Sequence, residues 1–190
     1  MSHVVVSNLA YAHPGGDLLF SDVSFKVGSG DHVGLVGANG VGKSTLLRIL
    51  AGRLEALEGD ADVGPFAYMP QDVGVGADER TVREMLLELA PARLRAAGEK
   101  MLAAERDLAA GGDAADAGMR LGEAIADWSE FGGYELEGQW DAACRRIVRS
   151  GFDDVGARRT TELSGGERKR LVLEVLFSGD AQVLLLDEPD

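Results

Sequence analysis

The stretch Gly37-Ala38-Asn39-Gly40-Val41-Gly42-Lys43-Ser44 decides the fold class of this chain, because it matches the pattern G-x-x-x-x-G-K-[ST]. The apolar run at residues 32–36 precedes it and is predicted to be a buried strand, and residues 45–51 follow it as a predicted helix. Glycines at a strand end let backbone N–H groups approach a phosphate closely, and a helix N-terminus adds unsatisfied donors. The stretch therefore predicts a phosphate-binding loop (P-loop) in an α/β domain.

Two side chains of this loop have chemistry that a simple packing turn does not need. Lys43 supplies a full positive charge for the β- and γ-phosphates, and the Ser44 hydroxyl is a ligand for Mg²⁺. The alternative is a glycine-rich turn that only packs a strand against a helix. The Gly-Lys-Ser-Thr run at a strand-to-helix junction favours the nucleotide site.

Composition is that of a soluble globular domain with one core. The chain has 190 residues, 45% of them hydrophobic, and its net charge of −13 disfavours non-specific binding to nucleic acid. No apolar run approaches the ~18 residues of a membrane span, and we expect neither membrane insertion nor a signal peptide. Cys144 is the single cysteine, so we expect no internal disulfide and a reducing, cytoplasmic compartment.

The order of predicted elements divides the chain into an α/β core, 1–80 and 181–190, and a helical subdomain, 81–180. Strands are predicted at 4–9, 23–27, 59–63, 66–69 and 181–186, and the first two indicate an antiparallel edge on a larger sheet. Thr81-Val82-Arg83-Glu84 has the spacing of a capping box and opens a helix. Further helices are predicted after Pro91 and at 114–130, 134–149 and 166–178.

Two adjacent carboxylates, Asp187 and Glu188, end the last predicted strand after an apolar run. Neighbouring residues at a strand end point in different directions, so the two acids can divide their work. Asp187 is placed to hold Mg²⁺, directly or through water, and Glu188 to polarise an attacking water as general base. This is a Walker B pattern. The alternative is a pair of acids that merely caps a strand, which the P-loop upstream disfavours.

The motif Leu163-Ser164-Gly165-Gly166-Glu167 makes the chain resemble the ATP-binding cassette family, whose signature is a Leu-Ser-Gly-Gly-Gln-like element at a helix start. The resemblance spans almost the whole chain, because four motifs occur in the family's order. They are the P-loop, Gln71 in a Met-Pro-Gln context, the signature, and the Walker B pair. Tyr11 lies where the family places an aromatic residue that stacks on adenine.

This resemblance implies a site for ATP and Mg²⁺ that two cassettes share. It implies that Glu188 is the base, that Lys43 assists at the phosphates, and that the signature contacts ATP held by the opposite cassette. The implied metal site consists of Ser44, Gln71 and Asp187. The implied nucleotide-binding residues are Tyr11, Gly37, Asn39, Gly40, Val41, Gly42, Lys43, Ser44, Thr45 and Gln71, and the implied signature residues are Ser164, Gly165, Gly166 and Glu167.

Within that family the chain resembles the ABC-F subfamily. Glu167 replaces the glutamine that transporters more often have, basic residues follow it, and the Walker B motif continues as Asp-Glu-Pro-Asp. The long interval between Gln71 and Ser164 leaves room for the subfamily's inserted helical arm. The resemblance implies an ATPase that acts on the ribosome, in translation or in antibiotic resistance, with a second cassette as partner. Basic residues between Arg145 and Arg170 are compatible with contact to rRNA, and solvated helix-face charges and ion pairs are the simpler alternative.

Two other functions stay open at this point. One is the ATP-binding subunit of a transporter, and the other is a nucleotide-dependent scaffold with little turnover. The sequence ends before the switch histidine that the family places after Walker B, and its three histidines all precede the P-loop. We therefore expect a first cassette truncated after Walker B, which by itself converts ATP and water to ADP and phosphate poorly.

Overall fold

Two compact units are present in the computed structural model, which describes residues 3–71 and 79–188. The first unit takes its residues from 1–71 and 179–190 and contains the strands. The second takes its residues from 72–178 and contains all but one of the helices of the described chain. No helix of the described ranges is both long and apolar enough to cross a membrane.

Three antiparallel strands form the first sheet, in the order β2-β1-β3. Strand β1 spans Val4–Ala12, β2 spans Leu18–Val27 and β3 spans Glu58–Val63. The central strand β1 pairs with both neighbours, with an irregular register after Val6 on the β2 side and after Ser7 on the β3 side. This sheet confirms the predicted antiparallel part of the α/β fold.

Helix α1, Lys43–Leu50, packs its apolar residues into the core beside β1 and ends in a glycine cap. Gly52 has a φ of 64°, and its N–H donates to the carbonyl of Ile49 at 2.9 Å. The N–H of Arg53 donates to the carbonyl of Arg48 at 2.8 Å. This pair of bonds is a Schellman motif, so Gly52 ends the helix.

The second sheet is a parallel pair of short strands, β4 at Phe66–Met69 and β5 at Val183–Leu186. The backbone N–H of Asp187 extends the pairing by donating to the carbonyl of Met69 at 3.0 Å. Because the strands are parallel, their carboxyl ends lie at the same edge. The residues that follow β4 are therefore brought beside the residues that follow β5.

The prediction of a buried strand at residues 32–36 is wrong. This run has no regular secondary structure and pairs with no strand among the described residues. Val33 is 69% exposed and Val36 is 92% exposed. Ladder hydrogen bonds to a neighbour hold a strand in place, and apolar composition alone does not supply them.

The helical unit follows the predicted elements closely. Its helices are α2 at Val82–Leu87, α3 at Ala92–Ala109, α4 at Ala114–Glu130, α5 at Gly133–Ile147, α6 at Phe152–Val155 and α7 at Gly165–Ser178. Helices α3 and α4 pack against each other as a hairpin, with 18 and 17 residues. At 1.5 Å per residue each is about 25 Å long.

Aromatic packing joins the base of this hairpin to the rest of the helical unit. The ring centroids of Trp128 and Trp140 lie 6.1 Å apart, and those of Trp140 and Phe152 lie 5.2 Å apart. Both tryptophans are buried, so they serve the packing of the helical unit. Cys144 is fully buried on α5, and burial raises the pKa of its thiol to about 11.

Gly59 in β3 permits a close contact between strands that an alanine would prevent. Its φ is 85°, and a Cβ built there would lie 2.4 Å from the carbonyl oxygen of Asn8. We expect Gly59→Ala to lower the free energy of unfolding by about 2 kcal/mol or more, through left-handed strain and steric overlap together. Urea denaturation followed by circular dichroism measures this change.

Gly30→Ala is the matched control, because Gly30 has a φ of 83° and its Cβ would meet no atom within 4 Å. It should cost about 1 kcal/mol from backbone strain alone. Equal losses in the two variants would show that the approach of Asn8 to Gly59 imposes no steric constraint.

Candidate nucleotide site

Residues 37–41 of the P-loop are exposed, and the loop turns at Gly42 directly into α1, which begins at Lys43. Gly40 and Gly42 have φ values of 81° and 105°, which residues with a side chain rarely adopt. Gly42 precedes α1 without a side-chain capping bond, so the first N–H groups of the helix have no side-chain partner. Asn39 and Val41 are exposed in the turn, and Thr45 is half-buried in the first helical turn. An uncapped helix start of this kind favours an anion.

Lys43 lies against this turn. Its ammonium group donates to the carbonyl oxygens of Gly37 at 2.9 Å and of Ala38 at 3.0 Å. The two bonds fix the positive charge beside the loop backbone and at the start of α1. This position supports the predicted role of Lys43 towards a phosphate.

Ser44 and Asp187 are 143 positions apart in the sequence and lie in contact in the structure. The Ser44 hydroxyl donates to Oδ1 of Asp187 at 2.9 Å. Asp187 is 3% exposed, and its Oδ2 atom has no hydrogen-bond partner among the described residues. Burying a carboxylate oxygen without a partner is costly, so this atom is suited to a bound cation or its water.

The donor set around Asp187 fits Mg²⁺ rather than a metal held by protein alone. No group of three or more His, Cys, Asp or Glu residues in the described ranges could hold a metal ion. Mg²⁺ commonly uses one or two carboxylates together with substrate phosphates and water. The Ser44 hydroxyl and the buried Oδ2 of Asp187 supply the hard oxygen atoms for such a site.

Gln71 and Glu188 meet at the carboxyl ends of the parallel strands β4 and β5. The Gln71 amide donates to Oε2 of Glu188 at 2.7 Å. Glu188 is exposed, and its φ of 50° is a left-handed conformation that costs a residue with a side chain about 1 kcal/mol. Strained backbone at a strand end is a common property of functional sites.

Tyr11 is a core residue of the first sheet. It is 8% exposed, and its ring centroid lies 5.4 Å from that of His13 and 6.2 Å from that of Phe20. Little of the ring is exposed for stacking on an adenine. Adenine stacking by Tyr11 stays a prediction that this burial does not support, while the neighbouring His13 is exposed.

The signature residues lie at the start of α7 in the helical unit. Ser164 precedes the helix, and Ser164, Gly165 and Gly166 are all exposed. Both glycines have negative φ, a Cβ at Gly166 would meet no neighbour within 4 Å, and one at Gly165 would meet only the tip of Arg168 at 3.9 Å. Neither backbone geometry nor packing in the described chain therefore requires glycine at these two positions.

Glu167 closes a capping box with Ser164. Its Oε2 atom accepts from the Ser164 backbone N–H at 2.9 Å and from the Ser164 hydroxyl at 2.6 Å. The Glu167 N–H donates back to the same hydroxyl oxygen at 3.2 Å. The side-chain bond from Ser164, followed by the backbone bond, lowers the pKa of Glu167, so the carboxylate is ionised at neutral pH.

Sequence reasoning missed this capping box although its signal was present. The spacing of Ser164 and Glu167 is the same S/T-x-x-E pattern that was recognised at Thr81 and Glu84. The signature motif therefore predicts a helix cap at Ser164 as well as a phosphate contact.

Most of the basic residues between 145 and 170 have partners within the helical unit. Three guanidinium groups form ion pairs, and two others donate to backbone carbonyls. The ion pairs are Arg145–Asp141, Arg146–Glu174 and Arg159–Glu79, and the carbonyl contacts are Arg158 to Asp154 and Arg170 to Gly166. This pairing favours the simpler interpretation of these charges as helix-face and interelement contacts.

Comparison with known proteins adds the family context. The family model described as ABC transporter matches residues 20–190. A Mycobacteroides abscessus protein described as "Antibiotic resistance protein" is 42% identical over 191 residues, which cover 100% of this chain and 34% of that protein. The tylosin resistance ATP-binding protein TlrC of Streptomyces fradiae is 34% identical over 181 residues, covering 90% of this chain and 32% of TlrC.

A third relative and one solved structure are also similar to this chain. The energy-dependent translational throttle protein EttA of Escherichia coli is 34% identical over 178 residues, covering 90% of this chain and 30% of EttA. The chain thus spans about one third of the length of these relatives. A metal-chelate type ABC transporter in an inward-facing conformation has a TM-score of 0.58 at 20% identity, covering 100% of this chain and 61% of that one. At this identity the structural match shows the fold alone.

Replacing Lys43 tests the phosphate site. Lys43→Ala removes a charged donor that the structure holds at the loop, so MgATP affinity at this cassette should fall by about 10–100-fold in the full-length protein. Titration with a fluorescent ATP analogue measures the affinity. Lys26→Ala, at an exposed position on β2, is the control and should bind normally. Unchanged affinity in Lys43→Ala would refute the assignment.

Proposed function

Because the chain belongs to the ABC transporter family of ATP-binding domains, we propose that it binds MgATP at residues 37–44 and hydrolyses it to ADP and phosphate as part of an ABC-F-type protein. The observation that supports this most directly is the pair of contacts Ser44–Asp187 and Gln71–Glu188 at one edge of the same unit. The first contact supports Ser44 and Asp187 as ligands of the metal, and the second supports Glu188 as the base. The relatives with resistance and translation names support the ABC-F assignment.

In the proposed hydrolysis of ATP, each of these side chains has a separate role. Lys43 and the N–H groups at the start of α1 would hold the phosphates, and Ser44 with Asp187 would hold Mg²⁺. The bound cation would neutralise charge on the β- and γ-phosphate oxygens. Glu188 accepts a proton from the water that attacks the γ-phosphorus, and the Gln71 amide orients that carboxylate through its 2.7 Å bond.

The signature serves ATP bound to another cassette in this proposal. Its exposed hydroxyl and two glycines at a helix start form a second place where phosphate oxygens can accept from N–H and O–H donors. The space around Gly166 supports an approach by a group from outside the described chain. A second cassette, in the same full-length chain or in a second copy, is therefore the proposed partner.

A ribosomal role is the finer part of the proposal. The names of the relatives refer to antibiotic resistance, tylosin resistance and a translational throttle. The α3–α4 hairpin lies between Gln71 and the signature, where the inserted arm of such proteins is expected, and its two long helices suit an arm. The proposal that the arm contacts the ribosome rests on this position and length, because Lys100, Arg106 and Arg120 of the hairpin are ion-paired as well.

A transporter ATP-binding subunit is the second candidate function. The description of the matched family model favours it. A scaffold with little turnover is a third, and measured turnover separates it from the other two.

Replacing Glu188 tests the chemical step. Glu188→Gln retains the shape of the side chain and the contact with Gln71 but cannot accept the proton. Turnover at this cassette should fall by about 10²–10³-fold in the full-length protein while MgATP affinity is kept. Phosphate release and analogue titration measure the two quantities. Glu55→Gln, at an exposed position of the same unit, is the control. Near-normal turnover in Glu188→Gln would exclude Glu188 as the base.

Cosedimentation with ribosomes tests the cellular role. The full-length protein should pellet with ribosomes in the presence of a non-hydrolysable ATP analogue and remain in the supernatant with ADP. Removal of residues 92–130, the α3–α4 hairpin, should weaken that association while ATP binding persists. Ribosome association that is the same with either nucleotide, or the absence of any ribosome association, would favour the transporter or scaffold function.

A further inference from the structure

We infer that the Glu167 carboxylate occupies, within its own cassette, the Ser164 donors that the signature offers to the γ-phosphate of ATP, so that ATP-driven closure of two cassettes must displace it. The inference rests on the proposed function, in which the signature meets ATP from another cassette. It makes Glu167 a residue that sets how much ATP is needed for closure.

The geometry of the signature supports this competition. Both polar hydrogens of Ser164, on the backbone nitrogen and on the hydroxyl, point to the same Glu167 oxygen at 2.9 and 2.6 Å. A hydroxyl has one proton and can donate it to one strong acceptor at a time. A phosphate oxygen that accepts a hydrogen bond from this hydroxyl must replace the Glu167 carboxylate as its acceptor.

Charge makes the competition stronger. The pKa of Glu167 is lowered chiefly by the Ser164 hydroxyl, which means that the same bond favours the anionic side chain. Hydrogen bonds to a charged acceptor are about twice as strong as those between neutral groups. A phosphate approaching Ser164 also meets a like charge on Glu167 unless the carboxylate turns away.

The simpler interpretation is that this contact only caps a helix. Thr81 and Glu84 form the same box at the start of α2, with the carboxylate accepting at 2.6 and 3.0 Å. The surroundings differ. Glu84 and Glu167 are both half-buried, but Thr81 is half-buried and Glu84 also pairs with Arg106, whereas Ser164 is exposed beside glycines with open space around them. The signature box is therefore more accessible to an outside anion than the Thr81 box.

Glutamine at position 167 separates the two roles. A Gln side chain can still accept from the Ser164 N–H and complete the capping box, because Glu and Gln both serve at this position. The Gln side chain has no negative charge, so its amide oxygen accepts a weaker hydrogen bond from the Ser164 hydroxyl. Glu167→Gln should therefore keep the helix start and release the signature donors more readily.

The test measures closure of the two cassettes in the full-length protein. Dyes on the two cassettes report closure by energy transfer during titration with a non-hydrolysable ATP analogue. Glu167→Gln should lower the half-saturating analogue concentration about fivefold, the effect of replacing a charged acceptor by a neutral one. The ADP response should not change, since ADP has no γ-phosphate. The thermal unfolding temperature without nucleotide should fall only slightly, because the cap is retained although its acceptor loses the charge.

Two further variants distinguish the possible failures. Glu84→Gln makes the same chemical change in the other capping box and should leave closure unaltered. Ser164→Ala removes the hydroxyl itself and should raise the analogue concentration needed. If Ser164→Ala leaves the half-saturating analogue concentration for closure unchanged, the proposed role of the signature is contradicted. Closure that responds to Ser164→Ala but is unaltered or weaker in Glu167→Gln would overturn the competition while leaving the proposed function standing.

Discussion

The parallel pairing of β4 and β5 is the constraint on which the candidate site depends. Two strands of four residues each, far apart in sequence, place their carboxyl ends side by side. From that edge Asp187 reaches Ser44 and Glu188 reaches Gln71. A one-residue slip of this register would turn alternate side chains to the opposite face and separate the carboxylates from the P-loop helix. The chemistry thus depends on register more than on the strength of any single contact.

Elements defined by local signals could be predicted from the sequence. The capping box at Thr81 depends on residues a few positions apart, and the structure has it as predicted. The prediction of a strand at 32–36 was wrong because strand formation depends on a neighbouring strand, and composition does not reveal whether one is present. Tyr11 illustrates the same limit, since its position in a family pattern does not show whether the ring faces the core or a ligand.

The signature shows that one residue can satisfy a local and a long-range requirement at once. Ser164 and Glu167 complete a helix start by the same rule as Thr81 and Glu84, so the local fold is stable without any ligand. The donors used for that purpose are also those that a phosphate would need. The sequence pattern alone supports either role, and the positions of the donor atoms are the basis for the proposal that the two roles compete.

Burial of the single cysteine of this chain has a practical consequence. Cys144 is 0% exposed on α5, and its thiol has a pKa near 11, so the reactive thiolate is scarce while the helical unit is packed. Modification by a thiol reagent then requires the unit to open. The labelling rate of the native chain therefore measures local opening around Trp140 and α5, in the manner of hydrogen exchange, without any engineered probe.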